Sequence, residues 1–162
     1  MKWRTGEPAP NILEAKHVFM GEFHHNIDEK GRIIIPARFR EGLGDAFVVT
    51  KGLDQCLFVY PRHEWDVLTE KLRQLPFTRS ETRAFTRFFF SGAAETGCDS
   101  QGRTVIPPNL REYAELSKEA VIIGVGNRIE IWSQPSWNDM RSDAEENYEE
   151  LAEKLNELGA VF

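Results

Sequence analysis

One pattern, repeated, constrains this chain more than any other feature. Residues 28–40 read Asp28-Glu29-Lys30-Gly31-Arg32-Ile33-Ile34-Ile35-Pro36-Ala37-Arg38-Phe39-Arg40. Residues 99–111 read Asp99-Ser100-Gln101-Gly102-Arg103-Thr104-Val105-Ile106-Pro107-Pro108-Asn109-Leu110-Arg111. What returns is Asp-x-x-Gly-Arg, three mostly β-branched residues, a proline, and an apolar residue followed by Arg; Glu41 and Glu112 come next in the two copies. Further on, Gly52 aligns with Gly124, Tyr60 with Trp132 and Trp65 with Trp137. A self-similarity of this length calls for two similar folding units within one chain.

Each copy has a local physical reading. The Asp carboxylate can turn back onto nearby backbone N–H groups, and Gly31 or Gly102 can adopt a positive φ, so together they close a tight turn. Arg32 and Arg103 follow at once and leave from a constrained loop tip. Ile33 to Ile35 predict a short strand. Pro36 suits the first turn of a helix, where its missing N–H costs nothing. Phe39 and Leu43 share one face of that helix, and Gly42 and Gly44 can end it.

Taken in order, the rest supports two α+β halves. Phe19 to Ile27 reads as a first strand, and Phe47–Thr50 and Leu57–Tyr60 as two more. Trp65, Leu68, Leu72 and Leu75 recur at helical spacing and predict a helix over 61–75, ended by Pro76. Thr78 or Ser80 can cap a second helix running to about Ser91, with Ala84, Phe85, Phe88 and Phe89 on its apolar side. Arg79, Arg83 and Arg87 form a basic stripe on it, read as a solvated face or subunit contact in preference to a phosphate surface. A last helix over about 134–158 carries Trp137, Met140, Tyr148, Leu151, Leu155 and Leu158.

Charge distribution matters more than the net value of −6. Residues 139–157 hold eight carboxylates against Arg141 and Lys154, which accounts for the whole imbalance and leaves the remainder free to carry a basic face. Cys56 and Cys98 lie far apart, with no spacing for a zinc site or disulfide framework. His24 and His25 point to opposite sides of a strand and find no converging partner in sequence. With His63 and the scattered acids they make no nucleophile–base set, so the expectation is a non-enzyme without metal, cofactor or small-molecule substrate. No stretch is apolar enough for a signal peptide or a membrane span.

With these residues in view, the two units resemble the paired SpoVT-AbrB-type domains of the MraZ family, bacterial transcriptional regulators encoded at the head of the division and cell-wall gene cluster. The resemblance covers about Met20 to the end. It includes Gly21-Glu22-Phe23-His24-His25-Asn26, the run Ala84 to Ala93, and Asn127-Arg128-Ile129-Glu130-Ile131-Trp132. It implies an N-terminal extension (1–19), a first domain (20–66), a helical connector (67–92), a second domain (93–138) and an acidic C-terminal helix (139–162). The implied fold is a swapped-hairpin, AbrB-like β-barrel of two internal repeats with flanking helices. The implied function is regulation of transcription through short direct repeats in the promoter of that gene cluster, including the protein's own. The partners would be double-stranded DNA and further copies of the chain in a ring, in a cytoplasmic, nucleoid-associated protein.

The chemistry of the tips agrees with DNA binding. Arg is the side chain best suited to bidentate contact with guanine, which points to Arg32 and Arg103. Lys30 and Arg38 can add phosphate contacts. Asp28, Gly31, Asp99 and Gly102 take structural roles in the turn. Gln101 and Asn109 stand where the first copy has Lys30 and Arg38, so the second tip is expected to contribute less. Arg40 and Arg111 are expected in structural ion pairs. The alternative is an antitoxin-like swapped-hairpin protein that binds a toxin and its own operator.

Overall fold

The computed structural model describes residues 18–160. Most of the extension expected over 1–19 lies outside the described residues, and Phe19 opens the first strand. Among the described residues the chain forms eight strands and five helices. In the first half these are β1 (Phe19–Asn26), β2 (Arg32–Ile34), α1 (Ala37–Leu43), β3 (Phe47–Lys51), β4 (Leu57–Pro61), α2 (Arg62–Arg73) and α3 (Ser80–Ser91). In the second half they are β5 (Ala94–Thr96), β6 (Arg103–Val105), α4 (Pro108–Tyr113), β7 (Glu119–Gly126), β8 (Ile129–Ser133) and α5 (Gln134–Glu157). The architecture is α+β with antiparallel sheets: six strands in the order β1-β7-β8-β4-β3-β5, and a separate two-stranded ribbon of β2 and β6.

The two halves interlock. β1 pairs with β7 along its whole length, Phe19 opposite Gly126 and Asn26 opposite Glu119. Its counterpart β5 pairs with β3 of the first half. β4 and β8 join the halves at the centre of the sheet. The ribbon is also made across the halves, and the Ile35 and Ile106 N–H groups donate to the carbonyls of Gly102 and Gly31.

Strand side chains alternate between two faces, and here both faces are covered. Leu57, Val59, Ile122, Ile129 and Ile131 join Ile33, Ile35, Phe39, Ile106 and Leu110 in one cluster beneath the ribbon and the short helices. Phe58, Tyr60, Val121, Ile123 and Trp132 face the other way, against Phe89, Trp65, Leu68, Leu72, Trp137 and Met140 from the three longer helices. Phe39 sits at the centre of the first cluster, edge-to-face with Phe19 and Phe23.

Several local expectations need correction. Helix α2 runs over 62–73, because Pro61 still belongs to β4; Leu75 lies beyond its end and is exposed. Neither Thr78 nor Ser80 caps α3. Arg79 occupies the N-cap without a side-chain bond, and Arg83 closes the connection by donating to the carbonyls of Phe77 (3.0 Å) and Thr78 (2.9 Å). Of the expected apolar side of α3 only Phe89 is buried; Phe85 and Phe88 are exposed. Helix α5 is capped by Ser133 Oγ, which accepts from the Ser136 N–H, and it leaves the body after Met140, so Tyr148, Leu151 and Leu155 stay uncovered.

Candidate nucleic-acid interface

The repeated motif folds into two nearly superimposable turns. Asp28 Oδ1 accepts from the backbone N–H of Lys30 (3.0 Å) and Arg32 (2.9 Å), and Oδ2 accepts from Arg32 Nε (2.6 Å). In the second copy Asp99 Oδ1 accepts from the N–H of Gln101 and Arg103, both at 2.9 Å, and Oδ2 from Arg103 Nε at 2.9 Å. Gly31 and Gly102 take φ of 77° and 79°, the left-handed region where a side chain is strained. Hydrogen bonds from the Arg backbone, and then from the Arg side chain, hold both Asp carboxyls below their ordinary value. The two carboxylates are therefore charged at neutral pH and act as clamps.

Each Arg is held by its Nε, so it is oriented before any ligand arrives. Its side chain is only about a quarter exposed (26% for Arg32, 27% for Arg103). The terminal nitrogens that make a bidentate fork remain available.

Register brings the two Arg onto one surface. In the ribbon Arg32 stands opposite Val105, and Ile34 opposite Arg103. The intervening Ile33 and Thr104 point inward and are buried, while Ile34 and Val105 are 42% and 51% exposed. Arg32, Ile34, Arg103 and Val105 thus share the outer face, with the Arg on one diagonal and the aliphatic residues on the other. Ile34 and Val105 were not among the sequence candidates. The only trace they leave in sequence is the parity of the strand, and it is masked because their neighbours are apolar too. Lys30 is exposed at the first tip and Arg38 on α1, and neither carries an ion pair among the described residues.

The ion pairs expected for Arg40 and Arg111 are absent among the described residues. Each guanidinium instead covers the turn glycine of the opposite unit. A Cβ on Gly31 would lie 2.7 Å from Arg111 Cζ, and one on Gly102 would overlap the guanidinium of Arg40. The basic stripe of α3 is partly engaged: Arg83 donates to the carbonyls before the helix, and Arg79 faces Glu81.

The remaining candidates are structural. His24 bonds Glu22 (2.8 Å) and Gln134 (3.0 Å), and Trp137 Nε1 donates to the other Glu22 oxygen, tying β1 to α5. The Glu22 hydrogen bond raises the His24 value above 6.5, and the same bond lowers Glu22 below 4.5. The His contribution is complete below 6.5 and is lost as pH rises through the folded value. The Glu contribution is present above 4.5 and is lost as pH falls. His24→Ala is therefore expected to lower the melting temperature slightly near pH 5.5 and not at pH 8.5, because the pair is largely exposed. Equal shifts at both pH values would remove the ion pair from the account.

Burial pushes the Cys56 and Cys98 thiols up, so neither is a ready thiolate. Among the described residues no three His, Cys, Asp or Glu converge as metal ligands. No helix among them is long and apolar enough to cross a membrane.

Residues 18–88 and 89–158 each match the family model described as "MraZ protein, putative antitoxin-like". The chain is 62% identical to the transcriptional regulator MraZ of Desulforamulus reducens over 141 residues, 87% of this chain and 99% of the relative. It is 59% identical to the transcriptional regulator MraZ of Natranaerobius thermophilus over 138 residues, covering 85% and 96% of the two chains. The transcriptional regulator MraZ of Pelotomaculum thermopropionicum is 62% identical over 141 residues, 87% and 97%.

Proposed function

Because the chain belongs to the MraZ family, we propose that it is a DNA-binding transcription regulator that reads duplex DNA with the β2/β6 ribbon. The observation that carries this is the pair of Asp-clamped arginines on one outward ribbon face. The major groove admits a two-stranded ribbon, and a fixed Arg fork matches guanine O6 and N7. Ile34 and Val105, beside the arginines, are placed to pack on thymine methyl groups. The finer reading is that the target is a set of short direct repeats in the promoter of the division and cell-wall gene cluster, the protein's own promoter included. The protein would act at the nucleoid in the cytoplasm and catalyse no reaction. The cross-paired halves (20–66 and 93–138), joined by the connector 67–92, are read as a swapped-hairpin barrel.

A ring of copies completes the proposal. Tyr148, Leu151 and Leu155 are exposed among the acids of α5, and Leu158 just beyond it. Val67, Leu75, Phe77, Phe85 and Phe88 are exposed near Arg73, Arg79 and Arg87 on α2, α3 and their connection. Two unlike, complementary faces suit a head-to-tail contact, which gives a ring when the rotation between copies closes. α5 packs on the sheet face away from the ribbon. We place its acidic turns farther from the tips than a Debye length, about 8 Å at physiological salt, so that their repulsion is screened. The antitoxin reading is less favoured, since 134–157 is one continuous helix and not an extended tail.

Selection of bound DNA from a random pool with the purified protein tests the function. Enrichment of a short guanine-containing motif, repeated at fixed spacing, is expected; a pool that stays random would defeat the reading. Replacing Lys30 or Arg38 by alanine should weaken all sequences alike and lower the salt slope by about 0.9 for each phosphate no longer neutralised. A variant that changes sequence preference at an unchanged slope would mark base reading instead.

A further inference from the structure

The two ends of the repeated motif meet across the molecule. The motif opens with a turn that holds a glycine and closes with an arginine, and the arginine of each copy lies on the glycine of the other: Arg111 on Gly31, Arg40 on Gly102. The glycine is needed for its positive φ, and a Cβ there would displace that guanidinium.

Charge gives the crossing a consequence. In the first tip Asp28 and Glu29 are balanced by Lys30 and Arg32, and in the second Asp99 is balanced by Arg103. By their own residues both tips are neutral. The crossing arginine adds one positive charge to each, although at the second tip Glu41 and Asp45 line the same hollow as Arg40 and Asp99. Neither Arg40 nor Arg111 has a carboxylate partner within 4.0 Å among the described residues. Arg111 donates Nε to the Ile106 carbonyl (3.0 Å), which leaves its terminal nitrogens uncommitted. Among the described residues no buried side-chain nitrogen lacks a hydrogen bond, so the uncommitted donors of both arginines reach solvent.

We propose that Arg40 and Arg111 each bind a DNA backbone phosphate at the tip of the opposite unit, so that every tip combines a base-reading Arg from one unit with a phosphate-holding Arg from the other. This rests on the DNA-reading role of the ribbon proposed above. It bears most on the second tip. Gln101 and Asn109 replace Lys30 and Arg38 there, and Arg40 is the cation left to meet phosphate. Phosphate contacts of this kind fix orientation without carrying sequence information.

The test uses the full-length protein and the DNA motif it selects. Arg40→Gln and Arg111→Gln are each expected to lower the salt slope of binding by about 0.9, to weaken motif and scrambled DNA by the same factor, and to leave the selected sequence unchanged. Arg40→Lys, which keeps the charge, should keep the slope. Unchanged slopes in the glutamine variants, or a changed sequence preference, would overturn the proposal. So would a lysine variant as impaired as the glutamine one, since that is the mark of a packing role. Phosphate ethylation interference with the unmutated protein gives a reading that does not depend on a variant folding. Interference on both flanks of the motif is expected, and interference confined to one flank overturns the role of Arg40. If the native protein selects no DNA, the function reading falls and this inference with it. If the native protein binds and Arg32→Ala releases it while the slopes stay fixed, only this inference falls.

Discussion

Arg32→Ala is expected to lower affinity for the selected DNA motif by about 1–3 kcal/mol per engaged subunit, the worth of a bidentate base contact. The side chain is held in place by Asp28 before binding, so little ordering cost offsets that contact when it forms. In a ring the loss compounds. Several tips meet several repeats, and each bound repeat raises the effective concentration for the next. Native protein should therefore bind one repeat far more weakly than four, and the variant should lose most on the longest array. The fold should survive, because Asp28 keeps its two backbone hydrogen bonds and the broken pair is partly exposed and screened by solvent. Titrations on DNA carrying one to four repeats, light scattering for the subunit count and a melting curve of the variant test the three statements together. Unchanged affinity would remove Arg32 from the interface. A monomer that bound one repeat as tightly as four would remove the ring.

Phe39→Ala is expected to cost about 3–5 kcal/mol of stability, the range for emptying a buried aromatic site. That is a large part of the roughly 5–15 kcal/mol that holds a typical domain together. Phe39 is fully buried, and it packs edge-on against two rings from β1 while sitting in the cluster that also takes Ile106 and Leu110 from the second half. Leu110 is its counterpart in the repeat, and Leu110→Ala should cost about 2–5 kcal/mol. The cluster draws on both halves, and the sheet pairs them at three places. Both variants should therefore unfold in one transition rather than half by half. Chemical denaturation followed by tryptophan fluorescence and by circular dichroism measures this. Two separated transitions in either variant would show that the halves are independent, against the shared core.

The sequence by itself determined whatever depends on residues close together in the chain. The Asp-x-x-Gly-Arg turn was legible because its hydrogen bonds span four residues or fewer and its glycine must take a positive φ. Strands β3 and β4, and the approximate course of α2, α3 and α5, followed from period and proline punctuation. Tertiary structure decided the rest. Tips separated by 71 positions meet in one ribbon, and only the register of that ribbon puts Arg32 and Arg103 on a common face and turns Ile34 and Val105 outward. Arg40 and Arg111 looked like partners for nearby acids; the cross-pairing of the halves carries each to a glycine of the other unit, a distance no local spacing encodes. The phenylalanines of α3 show the same limit. Their spacing marks a face, but which of them is covered depends on where the helix docks, and the sheet has room beneath it for Phe89 while Phe85 and Phe88 stay exposed. Local hydrogen bonding and periodicity are written in neighbouring residues, whereas burial and pairing are properties of surfaces that exist only once distant segments have met.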